Sequence, residues 1–391
     1  MMQPALKQDP SFGLDVQVFM DVIACGDAAR RTSLALQIAA FLGEPSATAG
    51  EREQVLPAAR RLAADESSEV RHAFAEALSG LQQLDADLFF TVVSDEEDIA
   101  LPFLSVTPAL DALRMLAVLR AGGEARQAVI AARPGLAPEV IDVITRELPL
   151  TVNALLLENP DCRLGPQHFR TLYQRFGAEP DMLELLLAHP GLPPVIRIVQ
   201  ARRAATSIRT LLSERAWLSS SQAAELVVDA EENAMLDVLS GASRHELPAA
   251  VAFLIDNELL TPALIVHAAC QGAMHVVAEC LAGLSGLPPR RVEEQMYQPG
   301  RFRALHARCG LPQSCYWTLQ AACDVAAEEN EEGLRHSIEE FGARIIETLL
   351  TRYEALPLSE QPRQLGFLGR YGAETTRHLA SRLRAGLERA A

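Results

Sequence analysis

Leu136-Ala137-Pro138, Leu164-Gly165-Pro166 and Leu192-Pro193-Pro194 repeat one Leu-x-Pro signal at equal intervals along the chain. Proline in the first turn of a helix costs nothing, because its missing N–H has no intrahelical partner there and its ring presets φ. Each signal therefore predicts a helix start. Each is preceded by an apolar run that stops at another proline: Val129-Ile130-Ala131-Ala132 before Pro134, Leu155-Leu156-Leu157 before Pro160, and Leu185-Leu186-Leu187 before Pro190. The unit reads as helix, proline-marked turn, helix. One such unit cannot bury its own apolar face, so several must stack.

Composition agrees with an all-α chain. Of 391 residues only 5% are aromatic, and the small or γ-branched residues that dominate suit closely packed helices better than a β-sandwich. A length beyond a single ordinary core points to two domains or to an elongated array. The net charge of −16 argues against general nucleic-acid binding, which needs Lys and Arg to displace counterions from phosphates. Lys7 is the only lysine. Seven scattered cysteines without C-x-x-C spacing read as reduced thiols in the cytoplasm. Residues 1–13 read as a loose leader without the pattern of a signal peptide. The most apolar stretch, Ala263 to Leu287, contains His267, Gln271, His275 and Glu279, so no membrane span is expected.

Further helix starts are read at Ser94-Asp95-Glu96-Glu97, Ser219-Ser220-Ser221-Gln222 and Ser243-Arg244-His245-Glu246, as capping boxes, and at Thr107-Pro108 and Thr261-Pro262. Gly286-Leu287-Pro288-Pro289 and Gly310-Leu311-Pro312 punctuate a later region differently, and Ile338, Phe341, Ile345, Leu349 and Tyr353 form one apolar stripe, with Leu379, Leu383 and Leu387 another. The expected organisation is helical repeats over 14–215, a second helical subdomain over 216–330 and a C-terminal helical tail over 331–391.

The string Ala64-Asp65-Glu66-Ser67-Ser68-Glu69-Val70-Arg71-His72-Ala73-Phe74-Ala75-Glu76-Ala77-Leu78 resembles the second half of a HEAT repeat, with its Asp, Val-Arg and Ala-Leu positions in register. Together with the Leu-x-Pro and Gly-Leu-Pro punctuation, the layout resembles an uncharacterised alphaproteobacterial family of HEAT-like helical proteins recorded as a domain of unknown function. The resemblance implies a HEAT-like α-solenoid of short helix pairs and brings no catalytic or binding residue with it.

Candidate chemistry is sparse. His267-Ala268-Ala269-Cys270 and His306-Ala307-Arg308-Cys309 place imidazole and thiol at i,i+3, a zinc-competent pair, yet structural zinc usually shows tight C-x2–4-C ligands and cysteine is commonly a core residue. No metal or other cofactor is assigned. His267, Gln271, His275 and Glu279 would form a polar ridge on an unbroken helix, but Gln271-Gly272 reads as a helix end and Ala273 as the next start. Two basic segments run against the overall acidity: Arg197, Arg202, Arg203, Arg209 and Arg215, and then Arg290, Arg291, Arg301, Arg303 and Arg308 beside Tyr297 and Phe302. Arginine forks bind carboxylates and phosphates, although pairing with neighbouring acids is the commoner use. Stacking in register would put Arg170, Arg175, Arg197 and Arg202 on one groove wall. No Walker loop, G-x-S-x-G, H-E-x-x-H or EF-hand pattern occurs.

The expectation is a non-catalytic cytoplasmic scaffold or adaptor that holds a protein partner in its groove, through Arg197, Arg202 and Arg203, without nucleic acid or membrane. The alternative is a ligand- or metal-responsive regulator, or an enzyme, with a pocket in residues 260–325 formed by His267, Cys270, His275, His306 and Cys309.

Overall fold

A computed structural model describes residues 16–25, 27–215, 220–332 and 337–352, and every regular element among these residues is a helix. The chain divides into two units, Met1–Leu192 and Pro193–Ala391. The division falls inside the expected 14–215 segment, at the third Leu-x-Pro signal. The helix begun there buries Ile198 in the core of the second unit. The leader at 1–13, Ser219, Tyr353 and the stripe Leu379, Leu383 and Leu387 lie outside the described residues.

The first unit contains α1 (Val16–Cys25), α2 (Ala28–Leu42), α3 (Ala49–Ala63), α4 (Ser68–Leu78), α5 (Ala86–Val93), α6 (Glu97–Val106), α7 (Ala112–Ala121), α8 (Glu124–Ala131), α9 (Pro138–Glu147), α10 (Leu150–Glu158), α11 (Pro166–Phe176) and α12 (Pro180–Ala188). The prolines of the first two Leu-x-Pro signals open α9 and α11, each after an extended N-cap residue. Two predicted starts are corrected. Ser94 ends α5, its amide bonded to the Phe90 carbonyl, while Asp95 accepts the Glu96 amide and leaves no place for the expected box. Thr107 closes α6, its hydroxyl taking the Ala109 amide in a short turn, and α7 waits for Asp111, whose carboxylate accepts the Arg114 amide.

Helices in this unit pack on their sequence neighbours and on the helix two places further on. Thus α2, α4, α6, α8, α10 and α12 run as one continuous layer, while α1–α3–α5 and α7–α9–α11 lie in the other. Phe74, Phe89 and Phe103 lie fully or almost fully buried in the core between them. Polar side chains tie each step to the next. Arg31 of α2 holds Asp65 at 2.8 Å, and Asp65 also accepts the Ser67 amide. Arg71 of α4 donates to the Asp65 carbonyl and holds Asp95 at 2.8 Å. Arg126 of α8 then reaches the carbonyls of Val93 and Asp95. The same device continues with Arg114 on Leu84 and Ala109, Arg133 on Leu104 and Thr107, Asn159 on Ala131 and Arg133, and Arg175 on Thr145 and Leu148. Asp65 and Arg71, the polar positions of the HEAT-resembling string, are thus both links in this ladder.

The second unit contains α13 (Pro194–Arg215), α14 (Ser220–Gly241), α15 (Leu247–Asp256), α16 (Pro262–Cys270), α17 (Met274–Ser285), α18 (Pro289–Met296), α19 (Pro299–Arg308), α20 (Gln313–Glu332) and α21 (Ile338–Arg352). Thr261 caps α16 as read from the sequence, accepting the Leu264 amide, and Ser243 exchanges bonds with Glu246 just before α15. Gly272 breaks the chain between α16 and α17 with φ of +74°, a conformation that side chains with a Cβ rarely adopt. α16 packs on α17, α20 and α21, around a core that includes Cys270, Cys280, Phe302, Cys323 and Phe341. No helix among the described residues is long and apolar enough to cross a membrane.

Asn159 is the simplest rung to test, because it is neutral, buried and bonded to two carbonyls at 2.9 and 2.7 Å. Asn159→Ala leaves those carbonyls without their donor and should cost about 2 kcal/mol. Asn159→Asp should cost more, since it sets carboxylate oxygens against carbonyl oxygens. Urea unfolding read by circular dichroism checks both the size and the order of the two effects.

Candidate functional site

α13 and α14, 22 residues each, form the longest helical hairpin among the described residues, and its polar residues are segregated by helix. α13 carries Arg197, Arg202, Arg203, Arg209 and Arg215 against the single acid Glu214, while α14 carries Glu225, Asp229, Glu231, Glu232 and Asp237 without a basic residue. Arg202 Nε lies 3.1 Å from Glu231, and Arg209 reaches the same carboxylate at 3.8 Å. Arg197 is half-buried and Arg203 exposed, and neither lacks an interaction partner. The three predicted arginines therefore share one helix, with Arg202 already serving to hold the hairpin together. Of the arginines expected on one wall, Arg170 and Arg175 belong to the first unit and Arg197 and Arg202 to the second. Arg175 spends its guanidinium on the Thr145 and Leu148 carbonyls, inside the first unit.

The hairpin also shows a feature that the arginine reading overlooked. Ile198 and Ala205 of α13 are buried, as is Val227 of α14, whereas Ala204 is exposed and Ile208, Leu211 and Leu226 are 51%, 47% and 59% exposed. Ala201, Ala204, Ile208 and Leu211 follow a 3-4-3 spacing, the interval of a helix-packing seam. At 100° per residue they fall with Arg197 in a sector of about 80°, turned roughly 80° from the buried side that faces α14. On α14 the same projection puts Leu226, Ala230 and Asp237 in one sector of about 40°. Because the helices are antiparallel, both sectors open on the same broad face of the hairpin, while Arg202, Arg209 and Glu231 occupy the other. The 3-4-3 interval was present in the sequence, but only tertiary packing separates the seam that is covered from the one that is not.

The five residues read as a pocket are scattered through the second unit. His267 and Gln271 are 2.9 Å apart in a side-chain hydrogen bond, and Cys270 is fully buried. His306 sits among aromatic rings, 5.3 Å from Tyr316 and 6.3 Å from Phe302 between centroids. Cys309 Sγ points at the Leu281 carbonyl, and burial pushes its thiol up to about 11, far from a reactive thiolate. His275 alone of the five lines an open groove of about 470 Å³, with Arg244, Tyr297, Glu329, Asn330 and Phe341 among its other walls. The break at Gly272 turns α17 away from α16, so the polar ridge does not form, as the sequence indicated. Among the described residues no group of three His, Cys, Asp or Glu side chains comes together as a metal site. Two arginines of the second basic segment are drawn into structure: Arg308 bonds the Ser285 carbonyl, and Arg303 stacks over the Tyr316 ring at 5.3 Å, while Arg290, Arg291 and Arg301 are exposed.

A family described as an uncharacterised protein conserved in bacteria (DUF2336) matches residues 99–359, more than half of the chain, and the chain belongs to it. The match takes in the ladder from Leu104 onward and the whole α13–α14 hairpin. No curated protein and no solved structure matches the chain.

His306 carries a pH prediction. Burial holds its imidazole below the usual histidine value, against the opposing effect of a hydrogen bond to the Pro312 carbonyl, and its Nε2 is buried without a partner. The unfolded chain takes up that proton near pH 6.5, and the folded chain only at lower pH. The stability this group contributes is therefore complete above about pH 6.5 and is lost as pH falls through the folded value. His306→Phe should flatten the change in urea midpoint between about pH 6.5 and 5; an unaltered slope would refute the assignment.

Proposed function

We propose that this chain is a non-catalytic, cytoplasmic adaptor of HEAT-like type, from the alphaproteobacterial branch that the sequence resembles, and that it docks a protein partner on the α13–α14 hairpin. The observation that carries the reading is the seam of Ala201, Ala204, Ile208 and Leu211, continued by Leu226 and Ala230 and bordered by Arg197. An apolar strip edged by arginine has the composition of a protein interface rather than of a small-molecule pocket. A surface of this kind is held in place by a rigid helical body and needs no reaction centre. The net charge of −16 disfavours nucleic acid as the partner.

A second reading, ligand binding in the groove at His275, is favoured by the polar side chains of Arg244, Glu329 and Asn330 over the apolar Phe341 and Ile338. The two readings separate by mutation. Ile208→Glu/Leu211→Glu should abolish capture of protein by the immobilised chain from its own bacterial extract while leaving the thermal unfolding curve in place, because both side chains are half-exposed. Capture that survives this change but fails in His275→Ala would transfer the function to the groove.

A further inference from the structure

We infer that the groove at His275 binds an apolar α-amino acid, a zwitterion recognised by Arg244 at its carboxylate and by Glu329 at its ammonium group. The inference rests on the second of the two readings above, ligand binding in that groove, and names the class of ligand. The groove lies where the joint between α16 and α17 meets α20 and α21, and a local backbone constraint shapes it. Gly272 follows α16 in the left-handed region, so that its amide bonds the Ala269 carbonyl and the Ala273 amide bonds the Ala268 carbonyl at 2.9 Å, the two bonds of a Schellman closure. The Phe341 ring of α21 lies against this glycine, where a Cβ would come within 3.4 Å of it. Ile338, one turn earlier on α21, is 57% exposed and lines the same groove.

Two opposite charges border this apolar surface without pairing with each other. Arg244, in the turn before α15, forms no ion pair among the described residues, and Glu329 of α20 has its interaction elsewhere. A carboxylate has lone pairs for more than one donor, so Glu329 can accept from an ammonium group while keeping that interaction. Gln271 adds a second acceptor. Its amide nitrogen is held by His267 at 2.9 Å, which leaves the carboxamide oxygen without a partner among the described residues. Arg244 offers a guanidinium fork, whose geometry matches a carboxylate. A ligand with only one of the two charges fits this lining worse. A plain anion meets Glu329 and the field of a chain with a net charge of −16, and a plain amine meets Arg244. An α-amino acid satisfies both charges at once and lays its side chain on Phe341 and Ile338. The groove volume of about 470 Å³ falls in the range of small-molecule sites and leaves room for an aromatic side chain.

Isothermal titration calorimetry of the full chain with L-phenylalanine, phenylpropionate and phenethylamine tests the inference. The second probe lacks only the ammonium group and the third only the carboxylate. Saturable binding of L-phenylalanine is expected, about tenfold tighter than that of either analogue. Arg244→Gln should remove its advantage over phenethylamine, and Glu329→Gln its advantage over phenylpropionate. Ile338→Asp should weaken all three. Arg244 and Ile338 are exposed, so these two variants should keep the parent unfolding curve, and they decide the matter if Glu329→Gln does not fold. L-phenylalanine bound no more tightly than the analogues, or indifferent to Arg244→Gln, overturns the inference. If an analogue binds better and His275→Ala abolishes that binding, the groove reading stands with a ligand of another class. If none of the three binds, the inference falls, and the groove reading rests on the His275→Ala capture result alone.

Discussion

Short helices leave a large share of their backbone unpaired, and the first unit is built around that constraint. A helix has four N–H groups at its start and four carbonyls at its end without intrahelical partners, whatever its length. In α5 and α8, with eight residues each, half of the carbonyls fall in this class. Stacking such helices brings their ends under the next pair, where water is excluded and an unpaired carbonyl becomes costly. Arg126, Arg133, Asn159 and Arg175 answer it by donating two bonds each at the carbonyl ends of an earlier pair, and Arg114 bonds the loop carbonyls of Leu84 and Ala109. A guanidinium fork is suited to this because its donors are fixed in one plane, whereas an ammonium presents a compact point charge. An acidic chain with one lysine and many arginines therefore uses much of its positive charge internally.

The same economy takes up other charged and titratable side chains as structural links. Arg71 and Asp95 make one rung, Arg308 another, and Arg303 covers an aromatic ring. His168 receives the Gly165 amide on Nδ1 and so turns Nε2–H toward Asp142, 3.1 Å away, which spends a buried histidine on linking α11 to α9. In the second unit the cysteines of the His-x-x-Cys pairs behave as small apolar residues, Cys270 being fully buried and the Cys309 thiol pushed up to about 11 by burial, and Cys280, also buried, is driven up to about 12. What is left over among the described residues is a face on the α13–α14 hairpin where Ile208, Leu211 and Leu226 stay about half exposed.

Local signals carried much of the architecture. The prolines of Leu136-Ala137-Pro138, Leu164-Gly165-Pro166 and Leu192-Pro193-Pro194 open α9, α11 and α13, and Thr261-Pro262 opens α16, because the effect of proline on φ and on its own missing N–H operates within one turn. Gly272 ended α16 for an equally local reason. Ser94 and Thr107 failed as caps since nearby Asp95 and Asp111 offered better acceptors, and Asp95 was also held by Arg71 from another helix. Of the residues read as a site, Arg197, Arg202 and Arg203 share α13, but His267, Cys270, His275, His306 and Cys309 do not converge. Spacing within one helix says which side chains share its face and nothing about which faces meet.

The sequence by itself determined that the chain is all-α, where most of its helices begin, and that stacked pairs make up its middle, since these follow from turn chemistry and apolar periodicity a few residues long. Tertiary structure alone decided that the compact units part at Leu192–Pro193, that arginines and Asn159 close helix ends about one repeat away, and that Ile208, Leu211 and Leu226 stay about half exposed. Those outcomes depend on which distant surfaces come together, and burial is a property of the surroundings that a residue acquires only when they have folded around it.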